Sequence, residues 1–344
     1  MRKGPGAPGA VVRDLDPAYF ALVMATGIVS QAMRLDNAAV VAAALFWAGV
    51  AAFAVLTAAY AWRLAACRRE FLADARDPRR GFGYFTFGAA AAVLAVPLAA
   101  GAHIPAAAAL LALGAAAWLL LSYTLPLLLG SGPFRQPELA GANGTWFVWA
   151  VGAQSAAVAA TAFPRPVPEP LSAFGVACWA IGVVLYLVIT VLVVTARMEF
   201  PLRPEEPTGP YWVFMGATAI SVLAGSQILR LPDIPLVSSV RAVVSGLSVM
   251  LWAFGTWLIP LLIALGTWRH LLRHVPLAYE VGLWSVVFPV GMYGVASRQL
   301  GTVLRVPWLV TLGRYEAWAA LASWIAVTLT MAAAVLRSVA SKQG

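Results

Sequence analysis

Hydrophobic residues run along the chain in ten long stretches, separated by polar, charged or proline-containing segments. The stretches that we distinguish are 19–33, 38–62, 84–102, 105–129, 145–163, 171–196, 211–229, 236–266, 281–297 and 308–336. Most approach or exceed the roughly 18 apolar residues that a helix needs to cross a bilayer. The pattern therefore predicts about ten membrane-spanning helices joined by loops.

Composition supports a membrane protein. Of the 344 residues, 62% are hydrophobic and only 11% are charged, whereas a soluble domain carries roughly 25% charged residues. Such a chain lacks the polar surface that keeps a globule in water. This excludes a soluble protein and makes the lipid bilayer its main surrounding partner.

The distribution of Lys and Arg orients the predicted helices. With the spans numbered from the N-terminus, sixteen of the 23 Lys and Arg residues lie in the two tails and the even-to-odd loops. The side richer in these residues normally faces the cytoplasm. We therefore expect a multi-pass protein of the inner or plasma membrane with both termini cytoplasmic. The cytoplasmic arginines that we interpret as topology determinants, not as ligands of the solute, are Arg63, Arg68, Arg69, Arg76, Arg79 and Arg80.

The net charge of +9 does not indicate a nucleic-acid partner, because the basic residues lie at helix ends and not in a soluble domain. Cys67 and Cys178 have neither CxxC spacing nor a neighbouring His. We expect free thiols, no metal site and no cofactor.

An apolar decamer recurs at every odd-numbered span. Its copies are YFALVMATGI (19–28), YFTFGAAAAV (84–93), TWFVWAVGAQ (145–154), YWVFMGATAI (211–220) and LWSVVFPVGM (283–292). A basic tail before a short apolar stretch is also typical of a signal peptide, but a cleaved signal has no reason to resemble an internal helix. We therefore keep the first stretch as a span.

The repeat predicts an all-α polytopic membrane protein of five helical hairpins, ten transmembrane helices in all. We expect a quasi-fivefold ring whose odd helices line a central pore. The predicted division is a cytoplasmic N-terminal tail (1–16), one ten-helix pore domain (17–336) and a cytoplasmic C-terminal tail (337–344).

Decamer positions six and nine lie on one helical face, and we predict that this face lines the pore. Position nine holds Gly or Ala in all five copies, which suggests a narrow apolar bore; an Ala-rich chain could also produce this layer through ordinary close helix packing. The predicted pore-lining residues are Met24, Gly27, Ala89, Ala92, Ala150, Ala153, Gly216, Ala219 and Gly291.

The ninth span departs from this pattern. It places Phe288 at position six, followed by Pro289, which removes a backbone hydrogen bond and tends to kink a helix. A ring beside a kink can move into or out of a narrow bore. A Phe that fills a groove left by small neighbours is an equally consistent interpretation.

The odd spans contain no Asp, Glu or Lys, so the bore is expected to be neutral. Basic residues follow at the outer end of each odd span, where a ring of them would attract anions; helix-end arginines that reach into the headgroups are the alternative. The predicted outer-mouth residues are Arg34, His103, Arg165, Arg230 and Arg298.

The segments YFALVMATGIVS (19–30), YWVFMGATAI (211–220) and LWSVVFPVGMY (283–293) resemble the tellurite-resistance/C4-dicarboxylate transporter family. That family includes TehA-type bacterial channels, fungal malate and sulfite transporters, and plant slow anion channels. The resemblance covers roughly 15–336. It implies a quasi-fivefold pore, a gating phenylalanine that corresponds to Phe288, a homotrimer, and passage of anions without ATP. A long regulatory tail of the plant type is absent from this sequence, so kinase control is not carried over.

These observations predict an anion channel or facilitative transporter for small anions: a C4-dicarboxylate such as malate, a sulfite- or tellurite-type oxyanion, or halide and nitrate. A proton-coupled dicarboxylate symporter is the alternative, with Glu280 and Glu316 as its only candidate carboxylates; both are more simply acids at helix N-termini. An intramembrane enzyme would need clustered catalytic groups, and we expect none.

Overall fold

A computed structural model describes residues 12–130, 137–204, 206 and 208–340. Within these ranges the regular secondary structure is helical, with no strand. The longer helices are α1 Ala21–Leu35, α2 Ala39–Ala66, α3 Phe85–Ala100, α4 Ile104–Gly130, α5 Val148–Thr161, α6 Glu169–Glu199, α7 Trp212–Ile228, α8 Pro235–Thr267, α9 Trp284–Leu304 and α10 Pro307–Ala340. Short helices are Arg68–Ala75 and Pro137–Ala140, and a π-helical turn, Trp268–Leu272, follows α8.

Four of the odd-numbered helices begin with a tighter 3₁₀ turn. These turns are Gly81–Tyr84, Gly144–Phe147, Gly209–Tyr211 and Val281–Leu283. The turn before α5 is capped by Asn143, whose side-chain oxygen accepts the backbone N–H of Thr145 at 2.8 Å. Proline begins α8 and α10, where its missing N–H would be unsatisfied in any case.

The odd-numbered helices form an inner layer. The most hydrophobic windows of α3 and α7 are 83% buried within the protein, against 22% for those of α2, α4 and α8. Each odd helix packs against two others, in the order α1, α3, α5, α7, α9 and back to α1. Each even helix packs against the odd helix that precedes it. The inner helices α1, α3, α5, α7 and α9 therefore contact one another in a closed cycle.

Tryptophan side chains of four even helices, α4, α6, α8 and α10, hydrogen-bond the odd helix of the next hairpin. The four indole N–H groups donate across this boundary at 2.9–3.0 Å: Trp118 to the Trp149 carbonyl, Trp179 to the Ser221 carbonyl, Trp252 to the Ser297 hydroxyl, and Trp324 to the Thr26 hydroxyl. A buried indole needs such an acceptor. The same bond thus recurs from α4 to α5, α6 to α7, α8 to α9, and α10 to α1.

Glycine pairs bring the two helices of a hairpin together at backbone distance. A Cβ on Gly88 would lie 2.8 Å from the carbonyl oxygen of Gly114, and one on Gly313 would lie 2.5 Å from that of Gly294. Only glycine allows helices to approach this closely. The α3–α4 and α9–α10 contacts depend on these four positions.

Within the part of the chain that the structure describes, seven helical segments are long and apolar enough to cross a membrane: Ala39–Ala66, Gly81–Ala100, Ile104–Leu129, Glu169–Glu199, Gly209–Ile228, Pro235–Leu272 and Pro307–Ser338. α1 is a shorter apolar helix. α5, with 14 residues, extends about 21 Å. The predicted all-helical, multi-pass membrane protein is therefore confirmed, while ten crossings remain a prediction.

Arg63, near the end of α2, is buried and does more than set topology. Its side chain is 2% exposed and forms an ion pair with Asp74 of the short helix Arg68–Ala75 at 2.5 Å. It also donates to the Tyr84 hydroxyl at 3.1 Å and to the backbone carbonyl of Arg13 at 3.0 Å. Arg63 therefore also has a structural role, because its guanidinium binds three segments together.

Candidate functional site

A small cavity lies where all five inner helices meet. Its volume is about 10 Å³, close to the space that one water molecule needs. Its walls are Ile28 and Gln31 of α1, Ala92, Val93 and Val96 of α3, Ser155 and Val158 of α5, Ile220 and Leu223 of α7, and Met292 of α9. No lining side chain of this central cavity is charged, and its wall is mostly apolar.

The central cavity faces a different position of the repeat from the one predicted. Ile28, Val93, Ile220 and Met292 occupy decamer position ten, one residue after the predicted small layer. Of the predicted pore-lining residues, only Ala92 is on its wall. Successive helical residues point about 100° apart, so a shift of one residue selects a neighbouring face.

In α5 the lining residues come one position later still. Ser155 and Val158 line the cavity, where the alignment with the other copies would place Gln154 and Ala157. The α-helical part begins at Val148, the fourth decamer residue, whereas α3, α7 and α9 begin at the second. The 3₁₀ turn before α5 has 4 residues, as does the one before α3, so the displacement follows from where the α-helix begins within the repeat.

Three of the predicted glycines lie between neighbouring inner helices. A Cβ on Gly27 would be 2.6 Å from Val93 Cγ1, one on Gly216 would be 2.8 Å from Pro289 Cγ, and one on Gly291 would be 3.0 Å from Ile28 Cγ2. These positions therefore serve close helix packing, the alternative considered for the small layer. The remaining predicted residues, Met24, Ala89, Ala150, Ala153 and Ala219, are buried and lie off the central cavity wall.

The side chain of Phe288 is 1% exposed, and along α9 the residue comes between two others that each line a cavity. Met292, one turn later on the same face, lines the central cavity. Ser285, one turn earlier, lines a second cavity at the end of the bundle where the inner helices begin. Pro289 is inside α9 and packs against Gly216 of α7. An aromatic residue thus comes beside a proline, between the residues that line the two cavities.

The second cavity, here called the N-terminal cavity, has a volume of about 290 Å³. It is formed by segments that lead into all five inner helices. Its lining residues are Asp16, Ala18, Arg79, Arg80, Ala140, Gly141, Ala142, Asn143, Thr145, Arg197, Glu206, Pro210, Tyr211, Glu280, Val281, Gly282 and Ser285. It is larger than the central cavity.

Arg79 and Arg80 were interpreted as topology determinants, yet both line this cavity. They directly precede the 3₁₀ turn Gly81–Tyr84 that leads into α3, a position equivalent to those of Asp16, Asn143 and Glu280 before other inner helices. That equivalence in the repeat was the sequence signal that could have found them.

Several charged groups around the N-terminal cavity are paired. Arg80 contacts Asp74 at 3.0 Å and Arg197 contacts Glu206 at 3.5 Å. Glu280 contacts Arg269 at 3.1 Å. Glu280 precedes α9 as predicted, and its carboxylate also holds the π-helical turn after α8.

Glu316 does not lie at a helix N-terminus, so that expectation was wrong. It is nine residues after Pro307, which begins α10, or about 13 Å along the helix. The field of the helix N-terminus is felt mainly within the first turn. Its Cβ lies close to Gly294 of α9, and its Oε2 atom is buried without a hydrogen-bond partner among the described residues.

The five predicted mouth residues lie at the opposite end of the inner helices. Arg34, His103 and Arg165 are exposed, and Arg230 is half-buried. Arg165 donates to the backbone carbonyl of Arg230. Burial, and then the charge of Arg165, lowers the pKa of the Arg230 guanidinium. Two like charges therefore lie side by side at this end.

Arg298 is not a free positive charge. Its guanidinium forms an ion pair at 2.5 Å with Asp36, whose side chain is only 3% exposed. Arg314 approaches the same carboxylate at 3.5 Å. The predicted contribution of Arg298 to anion attraction is thus largely neutralised, by a partner that is distant in the sequence.

Comparison with known proteins identifies the family. The family model for voltage-dependent anion channels matches residues 14–332. An uncharacterized membrane protein of Mycobacterium tuberculosis is 48% identical over 147 residues, 43% of this chain and 75% of that protein. An uncharacterized transporter of Methanocaldococcus jannaschii is 22% identical over 332 residues, 93% of this chain and 92% of that protein. The chain belongs to the voltage-dependent anion channel family.

Proposed function

We propose that this protein is an anion channel or facilitative transporter, in which small anions pass along the axis of the five inner helices. The observation that carries this proposal is that a single cavity has walls from all five inner helices and lacks charged side chains. Membership of the voltage-dependent anion channel family supports it. Transport without chemical conversion of the ion is part of the proposal.

The proposed arrangement in the membrane has ten crossings as five hairpins around a quasi-fivefold axis. The cyclic packing of α1, α3, α5, α7 and α9 supports the ring. Residues 17–336 would form the pore domain, with the tails 1–16 and 337–344 in the cytoplasm. The N-terminal cavity would then face the cytoplasm. Three copies of the protein would assemble as a homotrimer in the cell membrane.

Phe288 would close the path. In α9 it comes between a residue that lines the N-terminal cavity and one that lines the central cavity, and the central cavity holds about one water molecule. An anion larger than water requires the ring to move. Pro289 lacks the backbone N–H that would otherwise restrain α9 at this point, so the helix can bend there.

Anions would be drawn to the outer end by Arg165 and Arg230, whose charges lie close together. Through the bore, weak contacts with backbone dipoles and small side chains would allow quick release. The small-residue layer would bring the inner helices close enough to keep the path narrow.

Flux assays with purified protein in liposomes test this function. Chloride, nitrate, sulfite and malate are offered in turn down a concentration gradient, without ATP, against empty liposomes. We expect at least one of these anions to cross. Absence of all four fluxes, with folded protein confirmed, would contradict the proposal.

A proton-coupled dicarboxylate symporter is a second candidate, which the buried and unpartnered Oε2 atom of Glu316 favours. Ionisable groups inside a membrane are generally retained for function. Malate uptake driven by an inward proton gradient would be measured for the wild type and for Glu316→Gln. Uptake that follows the gradient and is abolished by the substitution would favour symport; we expect uptake that is independent of the proton gradient in both proteins.

A further inference from the structure

The starts of the five inner helices surround the N-terminal cavity. The positive ends of five helix dipoles therefore point toward one space. Backbone N–H groups at helix starts are ready-made donors for an anion. This favours negative charge in the cavity, although helix ends alone do not define a site.

The carboxylates on its wall are already engaged. Asp16 accepts the backbone N–H of Ala18 at 2.8 Å. Glu206 pairs with Arg197, and Glu280 pairs with Arg269. The negative charges of Glu206 and Glu280 are therefore offset by ion pairs, whereas Asp16 has no ion pair among the described residues.

Two donors on the wall are buried and unused. The hydroxyl of Tyr211 has no hydrogen-bond partner among the described residues, and the residue is only 8% exposed. The Nε atom of Arg197 is likewise buried and unpartnered within those residues. The Tyr211 hydroxyl lies beside Arg197 on this wall, and the charges of Glu206 and Arg79 also act on it. Two other nitrogens of Arg197 contact Glu206 at 3.5 Å and the Ala140 carbonyl at 3.2 Å. Buried polar atoms normally have partners, so these two point to one that is missing.

We infer that the N-terminal cavity is a binding site for a small oxyanion, held by the Tyr211 hydroxyl and the Arg197 guanidinium, with Arg79 adding positive charge. The inference rests on the proposed function, since it places a resting position for the transported anion before Phe288. It adds the class of ligand and the residues that select it.

The donors favour an oxyanion over a halide. A guanidinium presents N–H groups in a planar fork that matches two oxygens of one carboxylate, and the phenol supplies a further directional donor. The volume of about 290 Å³ accommodates an ion of several heavy atoms. A spherical halide would use fewer of these directional donors.

The test uses the purified full-length protein in detergent, titrated calorimetrically with succinate or chloride at constant ionic strength. Wild type is compared with Tyr211→Phe, which removes only the unpartnered oxygen. The matched control is Tyr186→Phe, because the Tyr186 hydroxyl is also buried and unpartnered among the described residues but does not line the cavity. Neither variant loses a hydrogen bond of the protein, so both should fold.

We expect succinate to bind the wild type more tightly than chloride, and Tyr211→Phe to weaken succinate about tenfold, the effect of one hydrogen bond to a charged group. Tyr186→Phe should bind like the wild type. Equal succinate affinity in all three proteins, or no preference over chloride, would overturn the inference. Liposome flux is measured on the same preparations. If the wild type conducts anions but Tyr211→Phe binds succinate as tightly as the wild type, this site alone is overturned. If the wild type conducts no anion, the proposed function is overturned as well.

Discussion

Gly216 of α7 lies so close to Pro289 of α9 that the structure predicts the effect of adding a single methyl group there. A Cβ added at Gly216 would lie 2.8 Å from Pro289 Cγ and 3.1 Å from Pro289 Cβ. The first distance is roughly 0.7 Å shorter than the ~3.5 Å of a favourable carbon–carbon contact. The proline ring cannot rotate away, because it is closed onto the backbone. Gly216→Ala must therefore move α7 and α9 apart.

Forced overpacking of this kind costs about 1–3 kcal/mol. We expect Gly216→Ala to lower the free energy of unfolding by that amount, measured by titration of the purified protein with a denaturing detergent. Gly246→Ala is the matched control, since a Cβ at this α8 position meets nothing within 4 Å. The control should unfold like the wild type. Identical stability of the two variants would refute the close approach of Gly216 to Pro289.

Two further predictions concern ion pairs. Arg63→Gln removes the buried partner of Asp74 and should destabilise the protein by about 3 kcal/mol. Arg68→Gln, at an exposed position, should change the free energy of unfolding by less than about 0.5 kcal/mol. Equal effects of the two substitutions in the same unfolding titration would contradict the structural role of Arg63. Asp36→Asn removes the ion-pair partner of Arg298 and should increase anion flux at low ionic strength. The increase should decline as added salt screens the charge of Arg298. Anion flux that is unchanged at low salt would show that Arg298 does not act on the ion.

The decamer repeat was sufficient to predict the hairpin plan, because each copy reports the same helix in an equivalent environment. It could not fix rotation about each helix axis. The α-helix of α5 begins two positions later in the repeat than α3, α7 and α9. Its lining residues Ser155 and Val158 are displaced with it, and no apolar pattern reveals such a shift. Consequently the small residues were assigned to the bore, while Gly27 and Gly216 pack against neighbouring helices.

Long-range pairs were also beyond the sequence pattern. Asp36 and Arg298 lie on different hairpins and meet only because α1 packs against α9. The Tyr211 hydroxyl gave no signal at all, since an unpartnered donor is defined by what surrounds it. By contrast, Phe288 stood out because it breaks the repeat; in α9 it comes between Ser285, which lines the N-terminal cavity, and Met292, which lines the central cavity.

The most direct test of the proposed pathway is the anion current of Phe288→Ala in planar bilayers, compared with the wild type and with Phe147→Ala. Phe147 is equally buried but packs against Tyr186 of α6 and Phe214 of α7 and is not part of α9. We predict a larger current for Phe288→Ala than for the wild type, and no increase for Phe147→Ala. Equal currents from folded wild type and Phe288→Ala would contradict a path that this ring closes.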